Sequence, residues 1–265
     1  MENSDDRLGT LRAKAAELAR LHEAPEILTL VNVWDAVSAR VVGALPQTRA
    51  LATASHSIAL AHGYPDGERI PLELMLTTVG RIVAATELPV TADLEAGYGD
   101  AGETVRRAID LGVVGANIED GMRALTDAAA RVRAVGSAAE AAGIPFVLNA
   151  RTDAVLRAGD RPRAEVIADA AERGSAFLDE GATCVFVPGA LDEAEVADLV
   201  AALGERRLSV IGGPGSLPAA RLQSLGVARV SYGPWPQRVA LTALQRAAEA
   251  LYAGEGMDAR TQDFG

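Results

Sequence analysis

The chain has 265 residues, 49% of them hydrophobic, and a formal net charge of −11. That charge argues against nucleic acid or an anionic membrane as partner. No apolar run reaches the roughly 18 residues that a membrane-spanning helix needs.

The opening residues are acidic and polar, unlike a secretory signal, so the expected location is the cytoplasm. One cysteine, Cys184, lies inside an apolar run and reads as a buried thiol. The one lysine, Lys14, falls on a leading helix, which removes Schiff-base and pyridoxal chemistry, since both need a lysine inside a pocket. Three histidines (His22, His56, His62) and a single cysteine exclude an ordinary structural zinc site. Carboxylates, arginines, hydroxyls, a histidine and a hard metal remain.

In chain order, residues 7–22 place Leu8, Leu11, Ala15, Leu18 and Leu21 on one helical face. Apolar runs of strand length then recur at 27–31, 50–53, 89–92, 113–118, 145–148, 183–187, 208–211 and 228–230. Between them lie segments rich in Ala, Leu, Glu and Arg, opened by Pro71, Pro162 or Pro218 and closed by Gly112, Gly143, Gly181, Gly204 or Gly226. Strands that are continuously apolar, rather than alternating, belong to a parallel sheet covered on both faces. Eight such units predict one (β/α)8 TIM-barrel domain over residues 1–265, with an N-terminal helix and a C-terminal helical extension.

Barrel active sites lie at the carboxyl ends of the strands. The third run ends in Asp93 and Glu95, whose spacing of two along a strand predicts that both carboxylates face one side. The fourth ends in Glu119 and Asp120. Carboxylates gathered at one rim repel unless a cation sits among them, so Asp93, Glu95 and Glu119 read as a metal site, and oxygen-only ligands select Mg2+ or Mn2+. After the fifth run, Asn149 and Arg151 share a face by the same spacing, and Arg151 suits a substrate carboxylate or developing oxyanion. Thr53, Ala54 and Ser55 follow the second run and offer hydroxyls and backbone N–H groups as a cradle, beside His56. The glycines at 212–215 read as a tight turn without the lysine of a P-loop, and Asp66 lies in a glycine-bounded turn.

The segments TASHSIALAHGYPDG, TADLEAGYGD, ANIEDG and LNARTDA, in that order, resemble the isocitrate lyase/phosphoenolpyruvate mutase superfamily, from about residue 27 to 233. The resemblance implies a (β/α)8 barrel that binds magnesium and a 2-oxo acid or enolpyruvate-type ligand and works through a metal-held enolate. It puts the metal carboxylates on Asp93, Glu95 and Glu119, the substrate arginine on Arg151, a loop aspartate on Asp66 and the ligand cradle on Thr53, Ala54 and Ser55. Arg151, Asp66 and His56 are the catalytic candidates; Thr53, Ala54, Ser55, Asn149 and Arg151 the substrate-binding ones. It also implies a homo-oligomer, a dimer or tetramer, with residues 235–252 as an exchanged helix.

The lyases of that superfamily carry a cysteine-containing gating loop just after the glutamate matched by Glu119. Here residues 121–127 read GMRALTD, with no cysteine, lysine or histidine. The expected function is therefore magnesium-dependent C–C cleavage of a small 2-oxo acid, by oxaloacetate-type decarboxylation or retro-aldol cleavage. The alternatives are P–C chemistry on a phosphonopyruvate-like substrate and non-catalytic binding of a 2-oxo acid.

Overall fold

The computed structural model describes residues 4–264. Helix α1 (Ser4–Glu23) leads into a split first strand, β1 (Leu28–Leu30) and β2 (Asn32–Val33), followed by α2 (Ala36–Gly43). Next come β3 (Leu51–Thr53), α3 (Ser55–Ala61), α4 (Leu72–Ala84), β4 (Val90–Asp93), α5 (Ala101–Asp110), β5 (Gly115–Glu119) and α6 (Leu125–Ala142). The second half holds β6 (Val147–Arg151), α7 (Arg163–Asp179), β7 (Cys184–Val187), α8 (Glu193–Leu203), β8 (Leu208–Ile211), α9 (Ala219–Ser224), β9 (Arg229–Ser231) and α10 (Trp235–Tyr252).

Every strand pair is parallel, in the order β1-β9-β8-β7-β6-β5-β4-β3-β2. The first apolar run thus yields two strand segments where one was expected. β1 pairs with β9, β2 pairs with β3, and only Val31 separates them, so the sheet closes through one interrupted strand. Asn32 stitches this seam. Its Nδ2 donates to the Thr53 carbonyl (2.8 Å), and its Oδ1 accepts from the N–H groups of Tyr232 and Gly233 (2.7 Å each). One side chain thereby supplies hydrogen bonds where the ladder is broken. The architecture is the expected (β/α)8 barrel.

Helix α1 lies across the amino-terminal end of the barrel. Leu18 packs so closely on Gly115, the first residue of β5, that a Cβ there would sit 2.8 Å from its Cδ2. Lys14 is half-buried on α1, beside Glu87 at 3.4 Å. Cys184 is fully buried, and burial pushes its thiol up to about 12, as an inert core residue requires. Among the described residues no helix is long and apolar enough to cross a membrane.

Helix α10 differs from the others. Gln237 anchors its first turn, donating to the Ser57 carbonyl at 2.9 Å. Beyond it Val239, Leu241, Leu244, Leu251 and Tyr252 are exposed.

Candidate active site

A cavity of about 410 Å3 opens at the carboxyl end of the barrel. Ser55, His56, Asp66, Asp93, Asn117 and Arg151 line one wall; Phe186, Pro188, Leu191, Gly212, Gly213 and Trp235 line the other. The cavity lies at the strand ends where the site was expected, and polar groups from β3 to β6 line it.

Asp93 ends β4 and is held by the residues that follow β3. Its Oδ2 accepts from the Ser55 N–H (3.1 Å) and hydroxyl (2.7 Å), while its own N–H donates to Thr53 Oγ1 (2.9 Å). Both side-chain bonds fall on Oδ2, and among the described residues Oδ1 has no donor. The same bonds alter the expected role of residues 53–55. Thr53 and Ser55 spend their groups on Asp93, and the Ala54 N–H donates to the Val33 carbonyl. This segment positions a carboxylate, and only Ala54 and Ser55 of the three touch the cavity.

Glu95 reaches the rim by a different route from the one its spacing suggested. β4 stops at Asp93, and Glu95 takes a left-handed backbone conformation (φ 52°), as does Tyr98 (φ 50°). Strand alternation does not carry that far; a strained turn aims the side chain. Glu95 is 3% exposed, its carboxylate accepts from the Glu68 N–H and from the Tyr98 hydroxyl (3.2 Å), and Glu68 in turn accepts from the Tyr98 N–H (2.6 Å). Burial, with Asp93 beside it, pushes Glu95 up to about 7. Glu68 and Tyr98 were not legible in the sequence; a glutamate beside a glycine turn and a tyrosine between two glycines were the available signals.

Glu119 and Arg151 end the neighbouring strands β5 and β6 in direct register. Their side chains meet at 2.8 Å, and Arg151 also holds Asp153 at 2.8 Å. Burial pushes Glu119 up to about 7 despite Arg151, with Asp153, Asp93 and Glu95 adding repulsion. Burial disfavours the Arg151 charge too, but Glu119 and Asp153 outweigh it and hold the guanidinium above its ordinary value. Asp120, next in sequence, does structural work: it accepts from the N–H groups of Met122 (2.9 Å) and Asp153 (3.0 Å) and from Arg173 (3.2 Å). Arg173 also donates to the Arg123 carbonyl at 2.9 Å, so the short connection into α6 is a pinned turn.

His56 and Asp66 come together on the cavity, with Nδ1 3.4 Å from Oδ2. Asn149 does not reach the ligand space. It is 0% exposed, and its Nδ2 donates to Asn117 Oδ1 (2.8 Å) and Ser209 Oγ (3.3 Å). The spacing argument gave it the right face, but one layer too deep. The residue on the cavity floor is Asn117, which sequence reading passed over inside an apolar run. The 212–215 turn closes on itself through Ser216, whose Oγ accepts from the Gly213 N–H at 3.0 Å.

Among the described residues no three His, Cys, Asp or Glu side chains converge into a ready-made chelate. The donors present still suit a hard cation. Magnesium keeps several waters and takes only one or two carboxylates; Asp93 has an oxygen with no donor among the described residues, and Glu95 and Glu119 are crowded anions that a nearby cation would relieve.

An uncharacterized protein of Mycobacterium tuberculosis is 32% identical over 89% of this chain and 88% of its own length. An oxaloacetate decarboxylase of Rhodopseudomonas palustris is 28% identical over 94% of this chain and 86% of its own. Among solved structures, a Burkholderia cenocepacia protein provisionally assigned as a phosphonomutase superposes with a TM-score of 0.83 at 38% identity, covering 92% of this chain and 99% of that one. The family model described as Phosphoenolpyruvate phosphomutase matches residues 18–252. The chain belongs to the phosphoenolpyruvate phosphomutase family, within the superfamily of isocitrate lyases and phosphoenolpyruvate mutases that its motifs resemble.

Proposed function

We propose that this protein is a magnesium-dependent carbon–carbon lyase that acts on a small 2-oxo acid, with decarboxylation of an oxaloacetate-type acid as its reaction. The observation that carries the proposal is the polar wall. Asp93 and Arg151 line the 410 Å3 cavity together, and beside them lie Glu95 and Glu119, both pushed up to about 7, with Glu119 in contact with Arg151. Asp93 would hold the metal, with Glu95 and Glu119 contributing charge around it. When bound, Mg2+ supplies Lewis-acid stabilisation of negative charge on a chelating ligand.

The chain's own groups do the rest. Arg151, locked by Glu119 and Asp153, keeps N–H donors for a ligand carboxylate and orients it. Decarboxylation needs no base to begin, which suits a site whose 121–127 turn carries no cysteine, lysine or histidine. The product carbon then needs a proton. His56, as an imidazolium paired through Nδ1–H with Asp66, would deliver it from Nε2 and be left neutral. Phe186, Pro188, Leu191 and Trp235 exclude water from the opposite side. The similarity to an oxaloacetate decarboxylase over 94% of the chain supports the same reaction.

The test is a panel of 2-oxo acids assayed for CO2 and pyruvate-type product, with Mg2+ and with excess chelator. Turnover that chelator abolishes is expected; full activity in chelator rejects the metal. The 38% identity to the provisional phosphonomutase favours a second reading, P–C cleavage, which phosphate release from phosphonopyruvate would reveal. Tight binding without turnover across the panel would leave a binding protein. The exposed apolar residues of α10 support a homo-oligomer in which a second copy covers them, and sedimentation of the intact protein against Leu244→Glu measures it.

A further inference from the structure

Among the described residues Arg229 is the largest fully buried side chain, and it begins strand β9 inside the barrel. No carboxylate among the described residues pairs with it. Its Nη2 donates to Asn117 Oδ1 at 3.3 Å, while Nε and Nη1 have no protein partner. Burial pulls the guanidinium down to about 10, so it remains charged at neutral pH. A buried, unpaired cation costs stability, and replacing it by an apolar side chain of similar volume is commonly neutral or stabilising. The fold therefore gains nothing obvious from Arg229.

The contact does settle the orientation of Asn117. A guanidinium has donors and no acceptor. The branch of the Asn117 carboxamide that faces Arg229 must be the oxygen, and Asn149 Nδ2 donates to that same oxygen at 2.8 Å. The NH2 branch is thereby turned away from both. Asn117 lines the cavity, in register with Asp93 on the next strand, and its NH2 has no protein acceptor among the described residues.

We infer that Asn117 is a ligand-binding residue, whose carboxamide NH2 donates from the cavity floor to an oxygen of the bound acid, and that Arg229 is the positioning residue that fixes this orientation. The inference rests on the proposed 2-oxo-acid site and adds to it a donor set between Asp93 and Arg151. Arg229 also places a positive charge beneath an anionic ligand without touching it.

The experiment titrates oxalate, a small planar dianion, into the intact protein with and without Mg2+, and records melting temperature alongside. Asn117→Leu keeps the size and removes the donor, so oxalate should bind about tenfold to a hundredfold more weakly, while Mg2+ alone binds as in the wild type. Asn117→Asp should weaken oxalate further and raise the melting temperature, because the new carboxylate pairs with Arg229. Arg229→Met should hold or raise the melting temperature and still weaken oxalate about tenfold, with Arg229→Lys restoring most of the affinity, since lysine also only donates. A purely structural arginine predicts the reverse: lost stability and unchanged affinity in the folded fraction. Wild-type oxalate affinity in Asn117→Leu and Asn117→Asp overturns the inference and leaves the proposed function standing. A wild-type protein that binds neither oxalate nor any 2-oxo acid overturns both.

Discussion

The two walls of the cavity are built from the same strand–helix unit yet do opposite things. From β3 to β6 the strand ends carry Ser55, Asp93, Glu119 and Arg151, each tied to at least one neighbour. From β7 to β9 they carry Phe186, Pro188, Gly212, Gly213 and, beyond β9, Trp235. One wall concentrates charge that can act on a bond; the other gives shape and dryness. Closure through Asn32 puts the two face to face. Chemistry is thus confined to one half of the rim, and substitutions should separate accordingly, with losses in kcat on the polar wall and changes in KM on the apolar wall.

The largest effect should come from Asp93. Asp93→Asn keeps an oxygen for the Ser55 hydroxyl but removes the charge, and kcat should fall by about 10³-fold or more, with the melting temperature nearly unchanged. Arg151→Lys comes next. It keeps a positive charge near Glu119 and Asp153 yet loses the planar fork, so kcat/KM should drop by roughly 10²-fold. A variant with normal turnover in either position would break the division between the walls.

Those two residues were also the most legible in the sequence. Asp93, Glu119 and Arg151 terminate apolar runs, and a barrel sends strand ends to the site, so position in the run sufficed. Glu95 lies beside Asp93, but a left-handed turn rather than alternation delivers it. Asn149 shows the limit of the alternation argument: period two fixes the face of a strand but not the depth inside a closed barrel. Thr53 and Ser55 have the donors expected of them, and the structure spends those donors on Asp93. Asn117 and Arg229 were hidden because polar residues within apolar runs have meaning only once the strands surround a common axis. An arginine interrupting the eighth run was the visible signal.

On the apolar wall the sharpest probe is Gly213. Its backbone needs no left-handed conformation, but an added Cβ would lie 2.5 Å from Trp235 Nε1. Gly213→Ala must therefore displace the indole that closes the cavity. KM should rise about tenfold with kcat altered less than threefold, an effect of shape alone. Gly212→Ala pushes the Tyr232 ring by the same logic, with a Cβ 2.5 Å from its Cε1, and should act in the same direction.

The smallest effect is on stability, and it again separates the walls, because in the neutral range the polar one titrates. Folding moves Glu95 and Glu119 from 4.5 to about 7. Between those values the native state holds protons that the unfolded chain has released, so stability falls as pH rises and the full penalty stands above 7. His22, under the barrel, works in the other sense: burial, reinforced by Arg229, takes it from 6.5 to about 3. Below 6.5 the unfolded chain takes up a proton that the native imidazole refuses, and stability falls as pH drops. Between 4.5 and 6.5 the two carboxylates outweigh the one histidine, so these three groups set the highest melting temperature of the metal-free protein near pH 4.5 and a steady fall from there to about pH 7. Glu119→Gln should flatten the alkaline side and His22→Gln the acid side. Saturating Mg2+ should stabilise more at pH 8 than at pH 6, since it replaces the protons the carboxylates have lost. Melting curves across this range, with and without Mg2+, measure all three slopes. An alkaline slope that Glu119→Gln leaves untouched would place the titrating charge elsewhere than on the polar wall.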